Sequence, residues 1–115
     1  MVEGARIPEE LDGLYEDAFV TRDRRDLCAL YDEGAVVVAN GEEARGGAAI
    51  AAAVARLWSN DRTYVANTRC VLRSRELALV VAEAGLHVLR RGNDGAWRAA
   101  ISLLDLQPQT RRRTT

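Results

Sequence analysis

Residues 30–41 read Leu-Tyr-Asp-Glu-Gly-Ala-Val-Val-Val-Ala-Asn-Gly, and the fold turns on how that stretch is divided. Ala35–Ala39 is a β-branched run that fits a strand, and Asn40-Gly41 is a tight-turn pair that closes it. Just upstream, Leu27, Leu30 and Tyr31 fit a short helix stopped by Asp32-Glu33-Gly34. Further upstream, Leu11, Leu14, Tyr15, Ala18 and Phe19 fall on one face of a longer amphipathic helix. Glu9, Glu10 and Asp12 lie in its first turn, where the helix dipole favours negative charge.

Downstream, Glu43–Arg45 fits a short returning strand. Gly46-Gly47 then leads into the Ala-rich helix Ala48–Trp58, with Ile50, Val54, Leu57 and Trp58 on one face. Thr63–Arg73 alternates as a single long strand. Tyr64, Ala66, Thr68, Cys70 and Leu72 fall on one side, and Val65, Asn67, Arg69, Val71 and Arg73 on the other. Leu77–Ala82 and Ala96–Leu106 are further strands of a meander, and Leu86–Leu89 is either a strand of its own, turned at Glu83-Ala84-Gly85, or a continuation of Leu77–Ala82 across Gly85; the other turns are Ser74–Glu76 and Asn93-Asp94-Gly95. Helices first and a meander last make an α+β plan, with one curved antiparallel sheet wrapped around helices. Residues 1–8 are expected to be a flexible leader, 9–108 a single domain, and 109–115, with Arg111-Arg112-Arg113, a frayed tail.

Composition narrows the function. The 115 residues carry Lys+Arg 16 against Asp+Glu 17, a net charge of −1, which leaves no field to select nucleic acid or an anionic membrane. Every basic residue is Arg, which reads as the codon bias of a GC-rich bacterial genome and excludes a Lys Schiff base. Two cysteines form no disulfide framework, and one His without a paired-cysteine motif does not build a structural zinc site. No metal or organic cofactor is expected. The N-terminus does not read as a signal peptide, and no apolar run approaches ~18 residues, so a cytoplasmic protein is expected.

The order of elements and several phrases resemble the nuclear transport factor 2-like superfamily, nearest its SnoaL-like and ketosteroid-isomerase-like small bacterial members. The phrases are Leu30–Val37, Arg45-Gly46-Gly47-Ala48-Ala49-Ile50, Leu77-Ala78-Leu79-Val80 and Asp94-Gly95-Ala96-Trp97-Arg98. The resemblance implies a cystatin-like, cone-shaped α+β barrel with a pocket between the long helix and the concave sheet. It also implies a homodimer through the outer sheet face. Similar sequences carry about ten more residues between the Leu77 strand and Asp94, so here the hairpin is short.

The same resemblance places Tyr15 where the isomerase-like proteins keep the Tyr that donates to a substrate oxyanion. It places the isomerase's base on Ala39, which cannot move a proton. Glu83 shares strand parity with Leu79 and Val81, and a carboxylate facing the cone would be desolvated and fit for acid–base work. His87, the only His, has the intrinsic pKa for proton transfer near neutrality. In a tight hairpin, Glu83 and His87 become cross-strand neighbours. The expected catalytic set is therefore Tyr15, Glu83 and His87, with Phe19, Ala39, Trp58, Tyr64, Thr68 and Cys70 lining the pocket and no metal ligands. Each of these also fits an ordinary core, turn or surface role. Arg69, Arg73, Arg75, Arg90, Arg91 and Arg98, interleaved with Val65, Val71 and Val88, are expected on the outer sheet face.

Three functions fit these residues. One is a cofactor-independent enzyme that isomerises, cyclises or hydrates an apolar, oxygenated metabolite of polyketide or terpenoid type. Another is a non-catalytic module that binds a small hydrophobic molecule or dimerises. The last is an assembly protein with a filled cone and an apolar outer face.

Overall fold

The structure, a computed structural model, describes residues 4–108; the expected Arg-rich tail lies outside them. A 3-10 turn, Pro8–Glu10, leads into α1, Leu11–Thr21. α2 is a short helix, Arg24–Cys28, capped by the Asp23 carboxylate on the Asp26 amide. β1, Tyr31–Ala39, and β2, Glu42–Arg45, form a hairpin. Asn40 and Gly41 both take positive φ there, 50° and 87°, as the expected two-residue turn requires. α3, Gly47–Ser59, follows. β3, Arg62–Thr63, β4, Thr68–Ser74, β5, Leu77–Ala82, β6, Gly85–Arg91, β7, Trp97–Leu104, and β8, Gln107–Pro108, complete the chain.

Six strands make one sheet in the order β2-β1-β7-β6-β5-β4, and β3 pairs with β8 alone. The sheet curves around the helices but is not closed into a barrel, since β2 and β4 remain edges. It is not wholly antiparallel either, because β1 runs parallel to β7. The α+β class and the helix-before-meander order stand as expected.

Four local expectations change. Tyr31 is not helical: β1 begins there, opposite Ala99. The leader is not loose throughout, because Ala5 exchanges backbone hydrogen bonds with Trp97 at 2.9 and 2.7 Å and is buried. The long strand Thr63–Arg73 is broken into β3 and β4, with Tyr64–Asn67 outside both ladders. Within β4 a bulge sets Thr68 opposite Ala82 but Cys70 opposite Val81. The extra residue reverses the alternation, since side chains change face at every step. Val71 therefore turns inward and Cys70 and Leu72 turn outward.

The registers define the two faces. One inward row crosses the sheet as Ala44, Val37, Ser102, His87, Val80 and Val71. Two outward rows read Val38, Leu103, Leu86, Val81, Cys70 and Val36, Ile101, Val88, Leu79, Leu72. The outer face is thus apolar rather than the Arg-rich surface expected. Arg73 reaches round to Glu9 at 2.8 Å and stacks over Trp97, Arg98 pairs with Asp94, and Val71 lies inside.

Candidate functional site: a buried chain of hydrogen bonds inside the cone

The concave face and α1 enclose a polar core within an aromatic one. α1 presents Leu11, Asp12, Tyr15, Ala18 and Phe19 inward, because positions three and four apart share a helix face. Asp12 stands one turn before Tyr15 and is buried with it. Opposite them, the register of β6 and β7 sets His87 directly across from Ser102. Tyr64 enters from the segment between β3 and β4.

These side chains form one continuous chain. The Tyr64 hydroxyl donates to Asp12 in a short hydrogen bond, and Thr68 Oγ1 donates to the other Asp12 oxygen at 2.8 Å. His87 Nε2 lies 3.0 Å from the Tyr64 oxygen, His87 Nδ1 lies 2.7 Å from Ser102 Oγ, and Tyr15 Oη lies 3.4 Å from Ser102. Proton counting fixes the directions. Tyr64 has one hydroxyl proton and gives it to Asp12, so His87 must donate from Nε2. Neutral His87 then accepts at Nδ1 from Ser102, and Ser102 accepts from Tyr15. Every proton points along the chain towards Asp12.

Burial sets the electrostatics. It lowers His87 to about 4, against a smaller upward pull from the Asp12 charge, so the imidazole is neutral at pH 7. Burial likewise raises Tyr15 and Tyr64 far above the ordinary phenol range, and Tyr64 is raised further by its bond to Asp12. Both phenols are proton donors. Tyr15 stacks on Tyr64 at 5.1 Å and meets the edge of Tyr31 at 5.6 Å, while Phe19 touches both Tyr64 and Trp58. Among the described residues, the Tyr31 hydroxyl and the Trp58 indole N–H are buried with no partner. Each such orphan costs roughly 1–3 kcal/mol.

The cone is filled. Tyr15, His87 and Ser102 have no exposed surface, so no water-sized void adjoins them. An open cleft of ≈ 530 Å³ runs outside the cone along Gly4, Glu9, Gly13 and Leu14. A smaller one of ≈ 160 Å³ lies at the cone's end between Thr63, Val65, Glu83, Ala84, Asp105 and Leu106. No cluster of three metal-ligating side chains occurs among the described residues.

Of the expected site residues, Tyr15, His87, Phe19, Ala39, Trp58 and Tyr64 are buried inside, and Thr68 reaches in to Asp12. Glu83 and Cys70 are not part of the site. Glu83 and Ala84 make the two-residue turn between β5 and β6, so Val80, not Glu83, faces His87. Glu83 is exposed and binds Asn67 at 2.9 Å and Arg69 at 3.6 Å. The bulge sends Cys70 to the outer face. Asp12 and Ser102 were missed by the sequence reading. Asp12 carried a signal, lying three residues before Tyr15 on the same helix face. Ser102 carried none until the register was known.

No family model matches the chain, and no curated protein sequence matches it. Solved structures do. A ketosteroid isomerase-like protein from Erwinia carotovora atroseptica SCRI1043 is 19% identical, with a TM-score of 0.74, over 88% of this chain and 94% of that one. A protein from Thiobacillus denitrificans ATCC 25259, described as a calcium/calmodulin-dependent protein kinase type II association domain, is 16% identical with a TM-score of 0.74, over 93% and 98%. A nuclear transport factor 2-like protein with a cystatin-like fold from Novosphingobium aromaticivorans is 20% identical with a TM-score of 0.64, over 89% and 80%. The chain has the nuclear transport factor 2-like, cystatin-like fold. Among the described residues, no helix is long and apolar enough to cross a membrane.

Proposed function

We propose that the protein is a cofactor-independent acid–base enzyme acting on an apolar, oxygenated small molecule, by isomerisation, cyclisation or hydration. The observation that supports this reading is the chain Asp12–Tyr64–His87–Ser102. A base held within hydrogen-bond reach on one nitrogen, and oriented through the other by a second group, is the arrangement that proton-transfer chemistry uses. Once the cone has closed over a substrate, His87 Nδ1 takes the proton, Tyr64 and Asp12 hold the ring and stabilise the cation formed, and Tyr15 donates to the developing oxyanion. Once opened, a largely aromatic interior that holds no Arg among the described residues suits a neutral, ring-bearing substrate.

The test is solvent deuterium exchange into a panel of cyclic enones and phenolic ketones, followed by NMR. Exchange at a carbon next to the carbonyl is expected with the wild-type chain, and His87→Gln should lower it roughly 10²-fold. Absence of exchange and of any thermal shift across the panel would reject the catalytic reading.

A second reading, a dimerisation module, is favoured by the two apolar rows across the outer face, where Leu72, Ile101 and Leu103 are about half exposed. Exposed apolar patches of that extent mark interaction sites. One of the similar structures is described as an association domain. A homodimer through this face is part of both readings.

A further inference from the structure

A catalytic chain inside a filled cone needs a way in, and the C-terminal end of the described chain has the construction of a latch. β7 stops at Leu104, the Asp105 amide still bonds the Ala84 carbonyl at 2.9 Å, and the chain then crosses the cone's end. Leu106 is 1% exposed and packs in the core. It is held chiefly by side chains. Asn40 accepts from the Leu106 amide and donates to its carbonyl, both at 2.9 Å, so one side-chain amide replaces a strand partner. Arg62 Nη1 donates to the same carbonyl at 3.0 Å. Beyond it, β8 pairs with only two residues, Arg62 opposite Pro108 and Thr63 opposite Gln107.

That two-residue pairing grips the segment that delivers Tyr64. Residues 64–67 belong to no ladder. The Ala66 amide donates to Glu16 at 3.2 Å, and the Asn67 carbonyl accepts from the Glu83 amide at 3.0 Å. The ≈ 160 Å³ cleft lies along the seam between this segment and Asp105-Leu106.

We infer that Leu106–Pro108 is a latch whose release from Asn40 and β3 lets the Tyr64-bearing segment swing out and opens the cone to a small molecule at His87. The inference rests on the reading of the cone as a small-molecule site. Its test needs no ligand, because His87 is the only His in the chain. Carbethoxylation of His87 by diethyl pyrocarbonate, read by mass spectrometry, reports access to the cone. Amide hydrogen exchange in β5 and β6 reports global unfolding on the same sample.

Asn40→Gly removes both clamp bonds, and glycine takes the positive φ without strain. It is expected to speed His87 modification at least tenfold with β5 and β6 exchange unchanged. A Thr63→Cys, Gln107→Cys disulfide, in a chain with Cys28 and Cys70 changed to Ala, is expected to slow it, with reduction restoring the rate. The latch is overturned if Asn40→Gly leaves the rate unchanged, or if His87 modification and core exchange rise together. Latch opening without any deuterium exchange in the enone panel would sink the catalytic reading and leave the latch standing.

Discussion

His87 is the residue on which the site depends, and its environment makes a pH prediction. Its folded pKa of about 4 lies below the unfolded value of about 6.5. The unfolded chain therefore binds more protons between those values, and stability falls as pH falls through that window. The contribution is fully present above pH 6.5, and about 3 kcal/mol is lost by pH 4. Urea unfolding at pH 7 and pH 4 measures it, and His87→Asn should flatten this part of the profile. Tyr64 joins His87 to Asp12 and its removal strands both partners. Tyr64→Phe should cost about 2 kcal/mol at pH 7, seen as a lower urea midpoint at unchanged slope. Asp94 makes the opposite case. It is held at about 2 by Arg98 and the Ala96 amide, but it is exposed, so its loss should leave the urea midpoint nearly unchanged.

At the scale of elements, two features of the sheet decide which residues meet. The bulge in β4 sets the Cys70 thiol on the outer face and Val71 inside. Titration with a disulfide reagent on the folded single chain (the Ile101→Asp protein, in which the outer face is uncovered) should find Cys70 exchanging at the rate of an open thiol. Burial of Cys28, whose thiol is raised by desolvation, should make it slower. The hairpin between β5 and β6 is the other feature. A Cβ on Gly85 would run into the Leu103 carbonyl oxygen, which is backbone. Gly85→Ala should therefore cost about 3 kcal/mol, read as a lower thermal midpoint. That glycine lets β6 start close against β7, while the pairing of Ala82 with Gly85 leaves Glu83 and Ala84 as the turn.

For the whole molecule, the contrast between the two sheet faces matters most. One face encloses an aromatic and polar core; the other carries two apolar rows across five strands. Sedimentation equilibrium should give about twice 12.6 kDa for the wild-type chain, the result the proposed pairing requires. Ile101→Asp, within one row and about half exposed, should give the single-chain mass with an unaltered far-UV spectrum. A monomeric wild-type chain at micromolar concentration would rule out the homodimer.

The sequence by itself determined the α+β class, the order of elements and the Asn40-Gly41 turn. These rest on local chemistry: periodicity in α1, β-branching in β1, and a turn pair able to take positive φ. It also marked most side chains of the cone, since an aromatic on an apolar helix face has to be buried. Tertiary structure decided the rest. Cys70 left the site because one extra residue in β4 reversed the alternation, and a bulge has no signature in the polar–apolar pattern. Glu83 left it because a turn of two residues, not three, changed which residue faces His87. Ser102 entered only through the pairing of β6 with β7, and Asp12, though on the helix face of Tyr15, gained its partners Tyr64 and Thr68 from segments more than fifty residues away in sequence. Periodicity assigns a side chain to a face, but contacts between distant segments depend on register, which is fixed only when the whole sheet is assembled.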